Sequence, residues 1–248
     1  MSYKCLICGS PTTLLDVVDF NKNCEEARGV YVALSGFAVY YAICTRCGFT
    51  SCDTLREWSD QDYLERIYNE DYIRFDPDYE RVRPLANAKL IQSIFRDAKP
   101  HIRHLDYGGG NGVLSDQLRE QGWDSKSFDP FPSNNGGLER MGKQNLITAF
   151  EVFEHVPNPN VIMANMVKLI DDDGLILFST LLSDTFIKPH SRIDWWYCAP
   201  RNGHVSLFSR KSLTLLAEKN SYRLASFNNG LHLMFKTLPA WASALNVR

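Results

Sequence analysis

"LDYGGGNG", Leu105–Gly112, decides how the second half of this chain is read. It follows a short apolar run, "IRHLDYG", and precedes "VLSDQLREQG", a helical pattern that Gly122 closes. A glycine-rich turn between strand and helix lets the chain reverse tightly and lets a ligand approach the backbone. Gly108, Gly110 and Gly112 stand where that freedom is needed. The glycine spacing alone is weak evidence, but the next strand, "DSKSFDP", adds Asp129, 17 positions after Gly112. A carboxylate there is placed to accept hydrogen bonds from two ribose hydroxyls.

The pattern continues on both sides. From Pro84, Leu85, Ala88, Ile91, Phe95 and Ala98 recur at helical steps, with Pro84 in the first turn and Pro100 at the end. Beyond Asp129, "NLITAFEVFEHV" holds a third strand. "VIMANMVKLIDDDG" reads as an amphipathic helix with Val161, Ile162, Met166, Leu169 and Ile170 inward, closed by Gly174. "LILFSTLL" is an apolar strand, "SRKSLTLLAEKNS" a helix with Ser209 as N-cap, and "YRLASFNN" and "LHLMFKT" are closing strands. Such alternation implies an α/β, Rossmann-like, mostly parallel sheet with helices on both faces.

A dinucleotide would set its pyrophosphate at the helix N-terminus. Asp106, just before the glycines, would repel it and would suit the ammonium group of S-adenosylmethionine; its other reading is a turn-stabilising acid. On these residues the chain resembles the class I S-adenosylmethionine-dependent methyltransferases. "LDYGGGNG" resembles their first motif, "FDP" (Phe128–Pro130) their second, and "NLITAFEVFEHVPNP" their fourth-strand motif. The resemblance covers roughly residues 85–235. It implies a seven-stranded sheet with an antiparallel last strand. It also implies contacts to the cofactor's methionine part from Asp106, Gly108, Gly110 and Gly112, to its ribose from Asp129, and a pocket wall around Glu151. Gly109 departs from a position where many relatives carry Cys, and a smaller residue is expected to fit. "PFPSNNGGLERMGKQN" is short for a third strand with an adenine-binding acid, so adenine contacts stay unassigned.

The first 50 residues carry two Cys-x-x-Cys-Gly knuckles, Cys5/Cys8 and Cys44/Cys47, with 35 residues between Cys8 and Cys44. Each knuckle presents two thiolates, and four thiolates favour tetrahedral zinc. Four protein ligands close the coordination sphere, which marks a structural ion. The segment is too small to build much core of its own. Cys24, Cys52 and Cys198 read as small apolar residues. Knuckles, a Tyr-rich linker and this core together resemble the zinc-containing sugar methyltransferases, of the methyltransferase type 23 kind. There the N-terminal module helps build the acceptor site. The resemblance implies a small-molecule acceptor, a sugar or sugar-nucleotide hydroxyl, in a natural-product or surface-polysaccharide pathway. "GHVSLFS" matches their catalytic loop at His204, but the preceding Tyr-His-Glu is missing. O-methylation therefore fits better than C-methylation.

A hydroxyl acceptor needs a base, and His suits neutral pH. His204 is the first candidate and His155 the second. His190 ranks below them, and His101, His104 and His232 read as ordinary surface or strand residues. "DWWYCAPRNGH" reads as a hydrophobic flap or as a lid whose Arg201 meets an anionic acceptor. The linker aromatics Tyr68, Tyr72, Phe75 and Tyr79 read equally as a solvated connector and as a pocket cover. The expected organisation is a zinc-binding module at 1–55, a helical linker at 56–83 and a methyltransferase domain at 84–248.

A net charge of -2 lacks the basic footprint of a nucleic-acid binder, so RNA methylation through the ribbon is the lesser alternative. A non-catalytic cofactor-binding role is another, opposed by the intact Asp106, glycines and Asp129. No apolar run reaches the ~18–20 residues of a membrane span, and "MSYKCLICGS" has no apolar signal core. A cytoplasmic location is the expectation.

Overall fold

The computed structural model describes residues 4–131, 135–243 and 245. In chain order the strands are β1 (Thr12–Asp19), β2 (Ala38–Cys44), β3 (Thr50–Cys52), β4 (Arg103–Tyr107), β5 (Asp124–Phe128), β6 (Gln144–Phe150), β7 (Ile170–Ser179), β8 (Ser206–Leu207), β9 (Arg223–Ser226) and β10 (Leu231–Phe235). The α-helices are α1 (Asp53–Arg56), α2 (Asp60–Arg66), α3 (Val82–Phe95), α4 (Val113–Glu120), α5 (Asn135–Leu138), α6 (Pro159–Leu169) and α7 (Arg210–Lys219). The chain forms two compact units. One gathers Met1–Pro77, Phe153–Ile162 and Thr180–Leu216, and the other Asp78–Val152, Met163–Ser179 and Ala217–Arg248. Both are discontinuous in sequence.

The second unit holds a sheet in the order β5-β4-β6-β7-β10-β9. β4 pairs in parallel with β5 and β6, and β6 with β7. β10 runs antiparallel to both β7 and β9, so the last strand is reversed as expected. Six strands are found among the described residues, not seven. The stretch after Asp129 is too short and too rich in Asn and Gly for a further central strand, and it forms α5 instead. Packed with the sheet, Ile91 and Phe95 of α3, Leu114 and Leu118 of α4, Leu146, Leu175, Leu177 and Leu233 form one apolar core.

Two details of the apolar reading change. Val161 of α6 is exposed, whereas Met163 is fully buried beside Ile162 and Met166. Gly174 lies inside β7 and does not close α6, because the helix ends at Leu169 and the strand begins at Ile170. Ser209 caps α7 as expected, its hydroxyl accepting from Ser212 N at 3.0 Å.

The first unit holds a four-stranded sheet, β1-β2-β3-β8. β8, far along the chain, pairs antiparallel with β3 through Thr50–Leu207 and Ser51–Ser206. Phe49 and Phe153 both pack on Phe208, with centroids 5.2 and 6.0 Å away.

Candidate functional site

The glycine turn grows out of β4 because three glycines, φ 77 at Gly108, 51 at Gly110 and 81 at Gly112, take a left-handed backbone that other residues avoid. Gly108 N donates to Phe128 O at 2.8 Å, tying the turn to the end of β5. A side chain at Gly108 would meet Val152 Cγ2 at 2.5 Å. Asp129 completes the arrangement: its Oδ2 accepts from Gly110 N at 2.8 Å and its Oδ1 from Phe131 N at 2.9 Å. The acid expected to meet a ribose thus also holds the turn in shape.

Asp106 is 4% exposed, and burial pushes its carboxyl up to about 7, against the Thr148 hydrogen bond that favours the charge and with the nearby Asp129 adding repulsion. Thr148 Oγ1 donates to Asp106 Oδ1 at 2.8 Å. Gly109 fits at its position, and a larger residue would not. Its absent Cβ would fall on the Ser127 hydroxyl and 2.6 Å from Asp106 Oδ2. Those two side chains fill the space that a cysteine would need, and no pattern in one sequence signals that.

Glu151 ends β6 with φ 52, a strained backbone for a non-glycine residue. Ser179 Oγ accepts from Glu151 N at 2.8 Å and donates to its Oε1 at 2.7 Å. The strain is therefore clamped at the end of β7.

In the first unit, the two knuckles have the same geometry. Gly9 N donates to Cys5 O at 2.9 Å and Gly48 N to Cys44 O at 2.8 Å, with φ 72 and 74 at the two glycines. Cys5 Sγ lies 3.5 Å from Cys47 Sγ, and Cys8 Sγ 3.5 Å from Cys44 Sγ. All four sulfurs fall within 4.8 Å of one another. The hydrogen bond from Cys47 holds the Cys5 thiol down at about 5. Four sulfurs this close to one another, on two tight turns, fit a thiophilic cation.

The same unit brings together the two histidines ranked first. The rings of His155 and His204 meet edge to face, centroids 4.8 Å apart. Glu154, fully buried, joins them, and one donor atom from each of the three lies within 4.8 Å of the others. Glu154 escaped the sequence reading as a candidate, although it directly precedes His155. Tyr197 donates its hydroxyl to Glu154 Oε1. His204 Nδ1 donates to Tyr197 O at 2.7 Å, which makes Nε2 the lone-pair atom of the neutral ring. His155 Nδ1 lies 3.2 Å from Tyr68 Oη. His190 is exposed with φ 64, and joins no such cluster among the described residues.

Arg201 does not wait for an anion. It is 5% exposed, donates to Ile67 O at 3.0 Å and Asn69 Oδ1 at 3.3 Å, and lies 4.0 Å over the Phe75 ring. Trp195 and Tyr197 are buried too, while Asp194 before them and Trp196 between them are exposed, so "DWWY" packs through alternate residues. Tyr68 and Tyr72 pack edge to face at 5.2 Å in this unit, and Tyr72 and Phe75 are buried.

A parallel sheet with a reversed last strand, a glycine turn on β4 and an acid at the end of β5 define the class I S-adenosylmethionine-dependent methyltransferase fold. The methyltransferase domain family model matches residues 79–226, more than half of the chain, and the chain belongs to that family. It is similar to the ubiquinone biosynthesis O-methyltransferase of Burkholderia orbicola (strain MC0-3), at 26% identity over 149 residues, 50% of this chain and 64% of that protein. The protein of the same description from Bordetella avium (strain 197N) is 28% identical over 102 residues, 32% of this chain and 42% of that protein. The chain thus spans less than two thirds of the length of these relatives. Mitomycin 7-O-methyltransferase MmcR shares the fold, with a TM-score of 0.51 at 12% identity over 73% of this chain and 61% of that one. No helix among the described residues is long and apolar enough to cross a membrane.

Proposed function

We propose that the chain transfers a methyl group from S-adenosylmethionine to a hydroxyl of a small molecule. The observation that carries this reading is the buried Asp106 behind the glycine turn, with Asp129 on the neighbouring strand end. A buried carboxylate beside a backbone cradle suits an ammonium group and disfavours a pyrophosphate. Asp106 and Gly108–Gly112 take the methionine part of the donor, Asp129 its ribose, and Glu151 the adjoining wall. The relatives named for O-methylation support oxygen as the acceptor atom. The Glu154–His155–His204 cluster activates that oxygen, with His204 Nε2 as the presented atom. A sugar or sugar-nucleotide acceptor, a cytoplasmic location and a structural zinc on Cys5, Cys8, Cys44 and Cys47 belong to the same proposal. The zinc would hold the two knuckles together and do no chemistry.

The test is transfer of labelled methyl from S-adenosylmethionine to a panel of sugar nucleotides, free saccharides and phenols. Transfer to a hydroxyl supports the reading. Calorimetric binding of a nicotinamide dinucleotide in place of S-adenosylmethionine would end it.

A further inference from the structure

We infer that Glu154, His155 and His204 form a second metal site, separate from the four cysteines, that takes one divalent transition ion. One donor atom from each lies within 4.8 Å of the other two, and Glu154 and His204 are buried at 0% and 4% exposure. A carboxylate so deeply buried is costly unless hydrogen bonds and a positive charge compensate it. Each of the three also has one atom already fixed by a protein partner. Tyr197 donates to Glu154 Oε1, His204 Nδ1 donates to Tyr197 O at 2.7 Å, and His155 Nδ1 lies 3.2 Å from Tyr68 Oη. This is the pattern of metal-binding histidines, whose second nitrogen is held by an oxygen so that the first is aimed.

The backbone around the cluster is fixed as well. Val205 N donates to Glu154 O at 2.8 Å, Cys52 N to Val205 O at 2.9 Å, and Tyr41 Oη to His204 O at 2.7 Å. Two imidazoles and one carboxylate suit zinc, iron, cobalt or manganese better than the all-oxygen preference of magnesium or calcium. Three protein ligands leave open positions, the arrangement of a working ion and not of a structural one.

The consequence for chemistry rests on the proposed methyl transfer. Glu154, His155 and His204 would hold the ion, which would supply Lewis-acid activation of an acceptor hydroxyl, the hydroxyl proton passing to solvent water. The new O–C bond forms as the C–S bond breaks, and its electron pair stays on sulfur, turning the sulfonium into a thioether. His204 Nε2 holds the ion in this scheme, not the proton.

The experiment is a cobalt titration of the full chain purified with its cysteine site filled by zinc. The expected result is one cobalt per chain with weak visible d–d bands and no thiolate charge-transfer absorption. His155→Gln, on a half-buried residue, and His204→Ala should each weaken that binding at least tenfold. Tyr68→Phe should weaken it by a smaller factor, since it only aims His155. Near-ultraviolet circular dichroism checks that each variant is folded, and the wild-type spectrum decides if one is not. No bands at millimolar cobalt, or bands unchanged in both folded histidine variants, would overturn the site. Cobalt binding without methyl transfer to any acceptor removes the proposed function and leaves the site standing. Transfer that persists undiminished after a chelator strips only the second ion overturns the ion's role in the reaction.

Discussion

His104 and Asp106 lie on the same face of β4 and are joined through a single hydroxyl. Thr148 Oγ1 sits 2.9 Å from His104 Nε2 and donates to Asp106 Oδ1 at 2.8 Å. That hydroxyl has one hydrogen and gives it to Asp106, so His104 carries its proton on Nε2. Its Nδ1 then accepts from Ser125 Oγ, 2.8 Å away. The chain Ser125–His104–Thr148–Asp106 crosses three strands inside the core.

The two ends titrate in opposite senses. Burial pushes His104 down to about 3 and Asp106 up to about 7. A raised carboxyl favours the folded state where it is protonated, so Asp106 adds stability as pH falls from about 7 toward 4. A lowered histidine is protonated first in the unfolded chain, so His104 removes stability as pH falls from about 6.5 toward 3. Between these limits the two offset each other. Thermal melts from pH 4 to 7 (about the span of the reference values) should be nearly flat for the wild type. Asp106→Asn should melt lower with acidification, and His104→Gln should melt higher. A wild-type slope as steep as either variant's would contradict the balance.

Asp129→Ala removes the acceptor of the Gly110 N–H as well as the expected ribose partner. Affinity for S-adenosylmethionine should fall by ~1–3 kcal/mol, roughly 5- to 150-fold. Calorimetry on the two proteins measures it, and equal affinities would remove Asp129 from the site.

Gly109→Ala should cost about 1–3 kcal/mol, the ordinary range for overpacking. Its Cβ meets both Ser127 and Asp106, so Ser127→Ala should restore only part of the loss. Denaturant melts of the two single variants and the double variant separate the contributions. Full rescue would mean that Asp106 gives way freely.

Cys8→Ser should lower zinc content by about one ion per chain and loosen the β1–β2–β3 sheet. Elemental analysis reads the first effect and protease sensitivity within residues 4–52 the second. Unchanged zinc content would refute the four-cysteine assignment.

Arg201→Lys keeps the charge but loses the fork that reaches Ile67 O and Asn69 Oδ1 and the cover of Phe75. Stability should drop by about 1–3 kcal/mol in a denaturant melt. Preference for anionic over neutral acceptors should not change; a lost preference would return Arg201 to substrate binding.

The fold was legible where local signals agreed. Gly108–Gly112, Asp129 and the apolar strands carry their periods and turns on the surface of the sequence, and β4 to β7, β9 and β10 follow them. The knuckles were legible because thiol spacing has few other uses. What escaped depends on distant residues. Gly109 is needed because Ser127 and Asp106 take its space. Glu154 joins a site only because residues 153–155 and 204 come together. His104 looked like any strand residue, since Ser125 and Thr148 lie on other strands. Arg201 offered a charge that the fold spends on Ile67 and Asn69.

The pairing of β3 with β8 limits how this protein can be cut or recombined. Residues 206–207 complete a sheet whose other strands all lie within 12–52. A shortened chain without the cysteine segment would strand β8 as a bare edge and uncover the side of Phe208 that packs on Phe49, inviting association between copies. An exchange of this unit between related chains would have to carry 153–162 and 180–216 together with the N-terminal stretch. The cysteine segment and these inserted stretches would then be inherited as one unit of change, and crossovers between them would be counter-selected.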